Sequence, residues 1–114
     1  MGIVNTKNSR HYLWGNKSEG WHLLESEELS VIEEQVPPSE KERRHFHQHA
    51  QQFFYVLSGV AQISVNDMVH EILPGNGIHV PAGVPHQLVN KGRDNLRFLV
   101  VSQPKSHGDR IDVE

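Results

Sequence analysis

Histidines recur at alternate positions, His45, His47 and His49, and lead into the aromatic run beginning at Gln52; His86 follows in a separate segment, PGNGIHVPAGVPHQLVN. In a β-strand, residues two apart share a face, so neighbouring members of this series can present imidazoles side by side. Neutral imidazole is the commonest protein ligand for divalent transition metals. Two imidazoles on one face and a third delivered from a distant segment therefore make a candidate metal site. Spacing alone leaves open which neighbouring pair of the three would bind. His11, His22, His70 and His107 have no partner at ligand spacing and read as surface or strand residues. The chain has no cysteine, which excludes disulfides, thiolate metal sites and cysteine nucleophiles.

Short strands separated by turns would have to position these groups. Residues 52–58 are aromatic and β-branched up to Gly59, and residues 60–65 alternate. Asn66-Asp67 reads as a tight hairpin turn into MVHEIL. Turns at Pro74–Gly77 and Pro81–Gly83 bracket the short strand IHV, and residues 86–90 and 96–102 supply two more. Residues 27–36 fit either a helix or a strand by pattern; Pro37-Pro38 and the surrounding strands favour a strand. Trp14 and Trp21, bracketing NKSEG, suggest an N-terminal hairpin packed on an apolar partner surface. The ends, about 1–10 and 104–114, read as extended arms or loosely held tails, with Asp109 and Arg110 solvated. Regular strands and turns without a repeat imply an all-β sandwich or small barrel.

With 114 residues the chain has room for one modest core, so residues 1–114 are expected to be one domain. A net charge of −3 with mixed signs argues against nucleic-acid binding, and the short cluster KERR at 41–44 does not change that. The N-terminus has no signal-peptide pattern, Gly2 with Thr6 is a weak lipidation match, and no apolar run approaches a membrane span. A soluble, cytoplasmic protein with no membrane partner is the expectation.

At two places these residues resemble the cupin family. His45-Phe46-His47, four residues, Gln52, six residues, Gly59 resembles the first cupin motif, with Gln52 where the family usually has glutamate. Gly75, five residues, Pro81-Ala82-Gly83, two residues, His86, three residues, Asn90 matches the second motif at each defining position. The motifs span 45–90, and flanking strands extend the resemblance over roughly 29–103. It implies a double-stranded β-helix, a flattened jelly-roll barrel whose open end holds one divalent metal ion. Carried over position by position, it makes His45, His47, Gln52 and His86 the ligands and leaves His49 behind them or in contact with substrate.

A neutral amide in place of a carboxylate leaves the bound ion its full positive charge. That favours Lewis-acid polarisation of a carbonyl or hydroxyl over redox cycling of iron. Zn, Ni, Mn, Fe or Co would each accept such a ligand set. Some small cupins that rearrange sugar acids and related hydroxy-carbonyl compounds also use a glutamine ligand. The resemblance therefore implies a metal-dependent enzyme that isomerises, or moves a proton within, a small hydroxy-carbonyl or carbohydrate-derived substrate. An iron dioxygenase and a non-catalytic small-molecule sensor are the alternatives. For the proton carrier His49 is the first choice and His79 the second; Tyr55 and Arg97 could touch substrate, whereas Phe53, Phe54, Leu57, Leu99 and Val101 read as core. Small cupins commonly pair, and the tryptophan hairpin is expected to meet a second subunit in a homodimer.

Overall fold

Turn chemistry sets the strand boundaries. Asn66 and Asp67 take φ values of 51° and 67°, the left-handed pair of a type I′ turn whose twist matches its flanking strands. Gly59, at φ 80°, ends another strand where a Cβ would lie 2.6 Å from the Asn95 carbonyl oxygen, so only glycine fits. The protein is represented by a computed structural model that describes residues 2–113. Eleven strands follow in order: β1 (Arg10–Trp14), β2 (Ser18–Glu25), β3 (Ser30–Val36), β4 (His45–His47), β5 (Gln51–Ser58), β6 (Ala61–Val65), β7 (Met68–Ile72), β8 (Gly77–Val80), β9 (His86–Val89), β10 (Leu96–Gln103) and β11 (Arg110–Asp112).

All pairings are antiparallel. One sheet runs β1-β2-β3-β10-β5-β8 and the other β11-β4-β9-β6-β7. This is the double-stranded β-helix, two sheets closed face to face over one core. Strict alternation assigns the inner faces. Gln52, Phe54 and Val56 of β5 point in, and Phe53, Tyr55 and Leu57 point out. On β10, Leu96, Phe98, Val100 and Ser102 point in. Val36, Val56, Ile63, Leu88, Leu96 and Phe98 form the apolar centre. Burying each such side chain contributes roughly 1.5–3 kcal/mol. Among the described residues, no helix is long and apolar enough to cross a membrane.

Three expectations change. Residues 104–113 are not a loose tail: β11 pairs with β4, and the Asp109 carboxylate accepts hydrogen bonds from the His49 and Ala50 amides at 2.9 Å each. The β1–β2 hairpin exists, but its tryptophans are already covered within the chain. Trp14 packs on the core, and Trp21 is buried beneath Arg97, whose guanidinium lies 4.9 Å from the indole centre. Phe53 and Leu57, read as core, instead lie exposed on the outer sheet face, and Leu99 and Val101 share that face half-buried.

Candidate metal centre

β4 carries His45 and His47 inward with Phe46 between them, and β9 brings His86 into register opposite His45. The second motif sets that delivery. The Gly83 amide of the Pro81–Gly83 turn donates to the His47 carbonyl at 2.7 Å, and the Asn66 amide holds the Pro85 carbonyl at 2.9 Å. Asn90 is fully buried; its amide nitrogen donates to the Val36 and Asp94 carbonyls and its oxygen accepts from the Gly92 amide, a structural tie. Gln52 arrives from the opposite sheet on β5. His45, His47, Gln52 and His86 are all buried. The ring centroids of His45 and His86 lie 4.4 Å apart, and those of His45 and His47 5.0 Å apart. One ring nitrogen from each of the three histidines falls within 4.8 Å of the others, a spacing at which they could hold a metal ion.

The hydrogen bonds leave the appropriate atoms free. Nδ1 of His45 donates to the Arg43 carbonyl at 2.7 Å, and Nδ1 of His86 to the Val84 carbonyl at 3.1 Å. Each bond fixes the tautomer whose Nε2 keeps its lone pair. Nε2 of His86 is buried with no partner, as is Nδ1 of His47. The Gln52 amide nitrogen donates to the Ser102 hydroxyl at 3.0 Å, and its oxygen is buried without a partner. Unpaired buried acceptors cost about 1–3 kcal/mol each, so a cluster of them fits a cation. Burial, the largest cause, lowers the pKa of His45 to about 3 and of His47 to about 4, and lowers that of His86. The imidazoles therefore stay neutral and ready to ligate at ordinary pH.

A cavity of about 250 Å³ opens beside this cluster. Its wall combines His45, His47 and Gln52 with Glu34, Glu42 and Arg110. Burial raises Glu34 to about 7 and Glu42 to about 8; the charge of Glu34 adds to the rise at Glu42. Glu34 accepts a hydrogen bond from the Tyr12 hydroxyl at 2.5 Å, and Glu42 accepts one from the Leu88 amide at 3.0 Å. Sequence reasoning passed over both carboxyls and Tyr12. A signal existed for Glu34: it occupies an inward position of β3, between Ile32 and Val36. Arg110, expected in a solvated tail, pairs in register with His47 and reaches the cavity.

The structure does not bring His49 or His79 to this cavity. β4 ends at His47, the alternation stops, and His49 is exposed beyond it, with its backbone amide capped by Asp109. His79 shares the outer face with Phe53, its register partner, and its Nε2 lies 2.9 Å from the Gln51 side-chain oxygen. Both proton-carrier candidates stand away from the chamber, because β4 ends before His49 and β8 turns His79 to the outer face. Tyr55 also faces outward, and Arg97 packs over Trp21 and pairs with Glu33.

A family model described as a cupin domain matches residues 32–102. Among curated proteins, SchB of Streptomyces halstedii is 32% identical over 64 residues, 56% of this chain and 46% of SchB, so the match spans less than half of that relative. Among solved structures, the polyketide cyclase RemF from Streptomyces resistomycificus superposes with a TM-score of 0.84 at 23% identity, covering 100% of this chain and 86% of RemF. A cupin-superfamily sugar phosphate isomerase from Silicibacter pomeroyi does so with a TM-score of 0.79 at 20% identity, covering 91% of this chain and 76% of the isomerase.

Proposed function

The chain belongs to the cupin family, and we propose that it is a metal-dependent enzyme that rearranges a small hydroxy-carbonyl compound by proton transfer. His45, His47 and His86 supply three ligands and the Gln52 amide oxygen a fourth. The observation that carries this reading is the set of buried, partnerless acceptor atoms around the histidine cluster. A divalent ion held there would polarise a substrate carbonyl or hydroxyl as a Lewis acid. The protein's own groups do the rest. Carbonyls of Arg43 and Val84 orient two of the imidazoles, and Ser102 holds the Gln52 amide. Arg110, its Nε donating to Asp112 at 2.7 Å, lines the cavity wall, and its remaining N–H groups would meet an anionic substrate group. The neutral ligand set disfavours the dioxygenase alternative, and the sugar phosphate isomerase among the fold relatives is in keeping with a redox-neutral reaction.

The test combines elemental analysis of the purified protein with turnover in an oxygen electrode. About one divalent ion per chain in the wild type, lost in His45→Ala and His86→Ala, supports the reading, as does catalysis with zinc or nickel and no oxygen uptake. Metal content indifferent to those substitutions refutes the ligand set. Turnover that needs iron and consumes oxygen stoichiometrically favours the dioxygenase.

Pairing with a second copy is part of the proposal, but by a different surface from the tryptophan hairpin. Phe53, Tyr55 and Leu57 are each about two-fifths exposed on the outer face of the six-stranded sheet, at 42%, 37% and 41%. Phe53 lies in register with Val101, and Tyr55 with Leu99. An apolar stripe of this kind suits self-association. Light scattering of a Phe53→Asp variant against the wild type tests it: a dimer that falls to a monomer supports the surface.

A further inference from the structure

Tyr12, Gly20 and Glu34 lie side by side across three strands: Tyr12 of β1 is in register with Gly20 of β2, and Gly20 with Glu34 of β3. A Cβ on Gly20 would lie 2.3 Å from the Tyr12 ring and 2.4 Å from its hydroxyl. Glycine at the middle strand therefore clears a path, and the phenol lies across β2 to meet the Glu34 carboxylate at 2.5 Å. Two neighbouring cavities share this spot. One, about 250 Å³, is lined by His45, His47 and Gln52, and the other, about 740 Å³, by Arg10 and His22. Tyr12, Ile32, Ser106 and His107 line both. Tyr12 thus stands where the metal chamber adjoins the larger cavity, with Glu34 on the chamber's side.

We propose that Glu34, held in place by Tyr12 lying over Gly20, is the base that moves the substrate proton in this chamber, on hydroxy-carbonyl compounds with an enolisable C–H. The assignment rests on the metal-site reading above. In the step, Glu34 takes the proton from the carbon next to a carbonyl. The C–H electron pair becomes a C=C bond, and the carbonyl oxygen takes the negative charge. The same carboxyl then returns its proton to the former carbonyl carbon, where the C=C pair forms the new C–H bond. The hydroxyl on the deprotonated carbon becomes the new carbonyl, and its proton passes to the former carbonyl oxygen. No oxidant or reductant enters, and the product is an isomer. Glu42 lines the same chamber but accepts from the Leu88 amide, whereas the Tyr12 hydroxyl donates to Glu34. Tyr12 keeps its proton, because burial and the adjacent carboxylate both raise its pKa. It therefore serves Glu34 as a positioning hydrogen-bond donor.

The experiment uses zinc- or nickel-loaded full-length protein in deuterium oxide with dihydroxyacetone and glyceraldehyde as probes, and follows deuterium uptake by proton NMR. Metal content is measured on the same samples. Glu34→Gln should lose about 100-fold or more in exchange with metal content unchanged, and Tyr12→Phe should lose less. A readout independent of turnover is the 13C carboxyl resonance of Glu34 in glutamate-labelled protein, identified by its disappearance in Glu34→Gln. It should move in Tyr12→Phe, and in Gly20→Ala if that variant folds. Exchange unchanged in Glu34→Gln at full metal content overturns the assignment and leaves the metal reading standing. A resonance unmoved by Tyr12→Phe removes Tyr12 from the role. Wild-type protein without bound metal overturns the metal reading instead.

Discussion

The same strands build two opposite interiors. Towards the closed end, inward positions are apolar: Val36 on β3, Val56 on β5, Leu88 on β9, Leu96 and Phe98 on β10. One or two inward steps along, those strands present Glu34, Gln52, His86 and Ser102. The closed end is a cluster of buried apolar side chains. The mouth concentrates unpartnered acceptors, neutral histidines and proton-holding carboxyls. The contrast teaches that the barrel's stability and its chemistry are separated along each strand, so that one end can be strained without unfolding the other.

The largest effect should come from the closed end. Phe98→Ala should cost about 3–5 kcal/mol in urea denaturation of the metal-free protein, through a cavity in the core. At the mouth, His86→Leu should leave metal-free stability within about 1 kcal/mol of wild type, because removing a buried acceptor that has no partner offsets the loss of the Nδ1 bond to the Val84 carbonyl. It should also abolish the stabilisation of about 2.7 kcal/mol that a divalent ion gives at a hundred times its Kd. If His86→Leu unfolds the metal-free protein as readily as Phe98→Ala does, the separation between the ends is wrong. Next in size, Ser102→Ala frees the Gln52 amide and should weaken metal affinity by about 10–100-fold in a competitive chelator titration.

The smallest effect is the pH dependence, because its parts oppose one another. Glu34 and Glu42 titrate in the fold near 7 and 8 against an ordinary 4.5, so the folded state holds more protons than the unfolded chain between those values. Their contribution is full below 4.5 and is lost as pH rises through 7 and 8. The histidines carry lowered values, about 3 for His45 and about 4 for His47 against 6.5. Their neutral state favours folding above 6.5, and that advantage is lost as pH falls towards 3. Thermal melts in chelator should therefore show stability falling on both sides of a maximum near pH 6.5. Glu42→Gln should flatten the alkaline side and steepen the rise between about pH 4.5 and 6.5. A melt curve still rising from pH 7 to 8 would contradict the burial of the two carboxyls.

Much of this architecture is written locally. Alternation and turn residues mark β5 to β10 because strand faces and left-handed turns depend on nearest neighbours in the chain. Asn66-Asp67 forms its hairpin, residues 30–36 form a strand, and His45, His47, Gln52 and His86 all reach the interior. His49 leaves the alternating series because strand length is not a local property: β4 stops after His47, where Asp109 caps the following amides. The tail misled for a similar reason, since β11 gains its order only by pairing with a strand far away in the chain.

The sequence by itself determined which residue types could ligate a metal and on which strands they would alternate, since both follow from side-chain chemistry and the two-residue pleat. Only the tertiary structure decided what joins them. Tyr12, Glu34, Glu42 and Arg110 meet the histidines because sheet register and barrel closure place distant strands around one chamber. Register is set by the packing of the whole core, and no stretch of chain carries it alone.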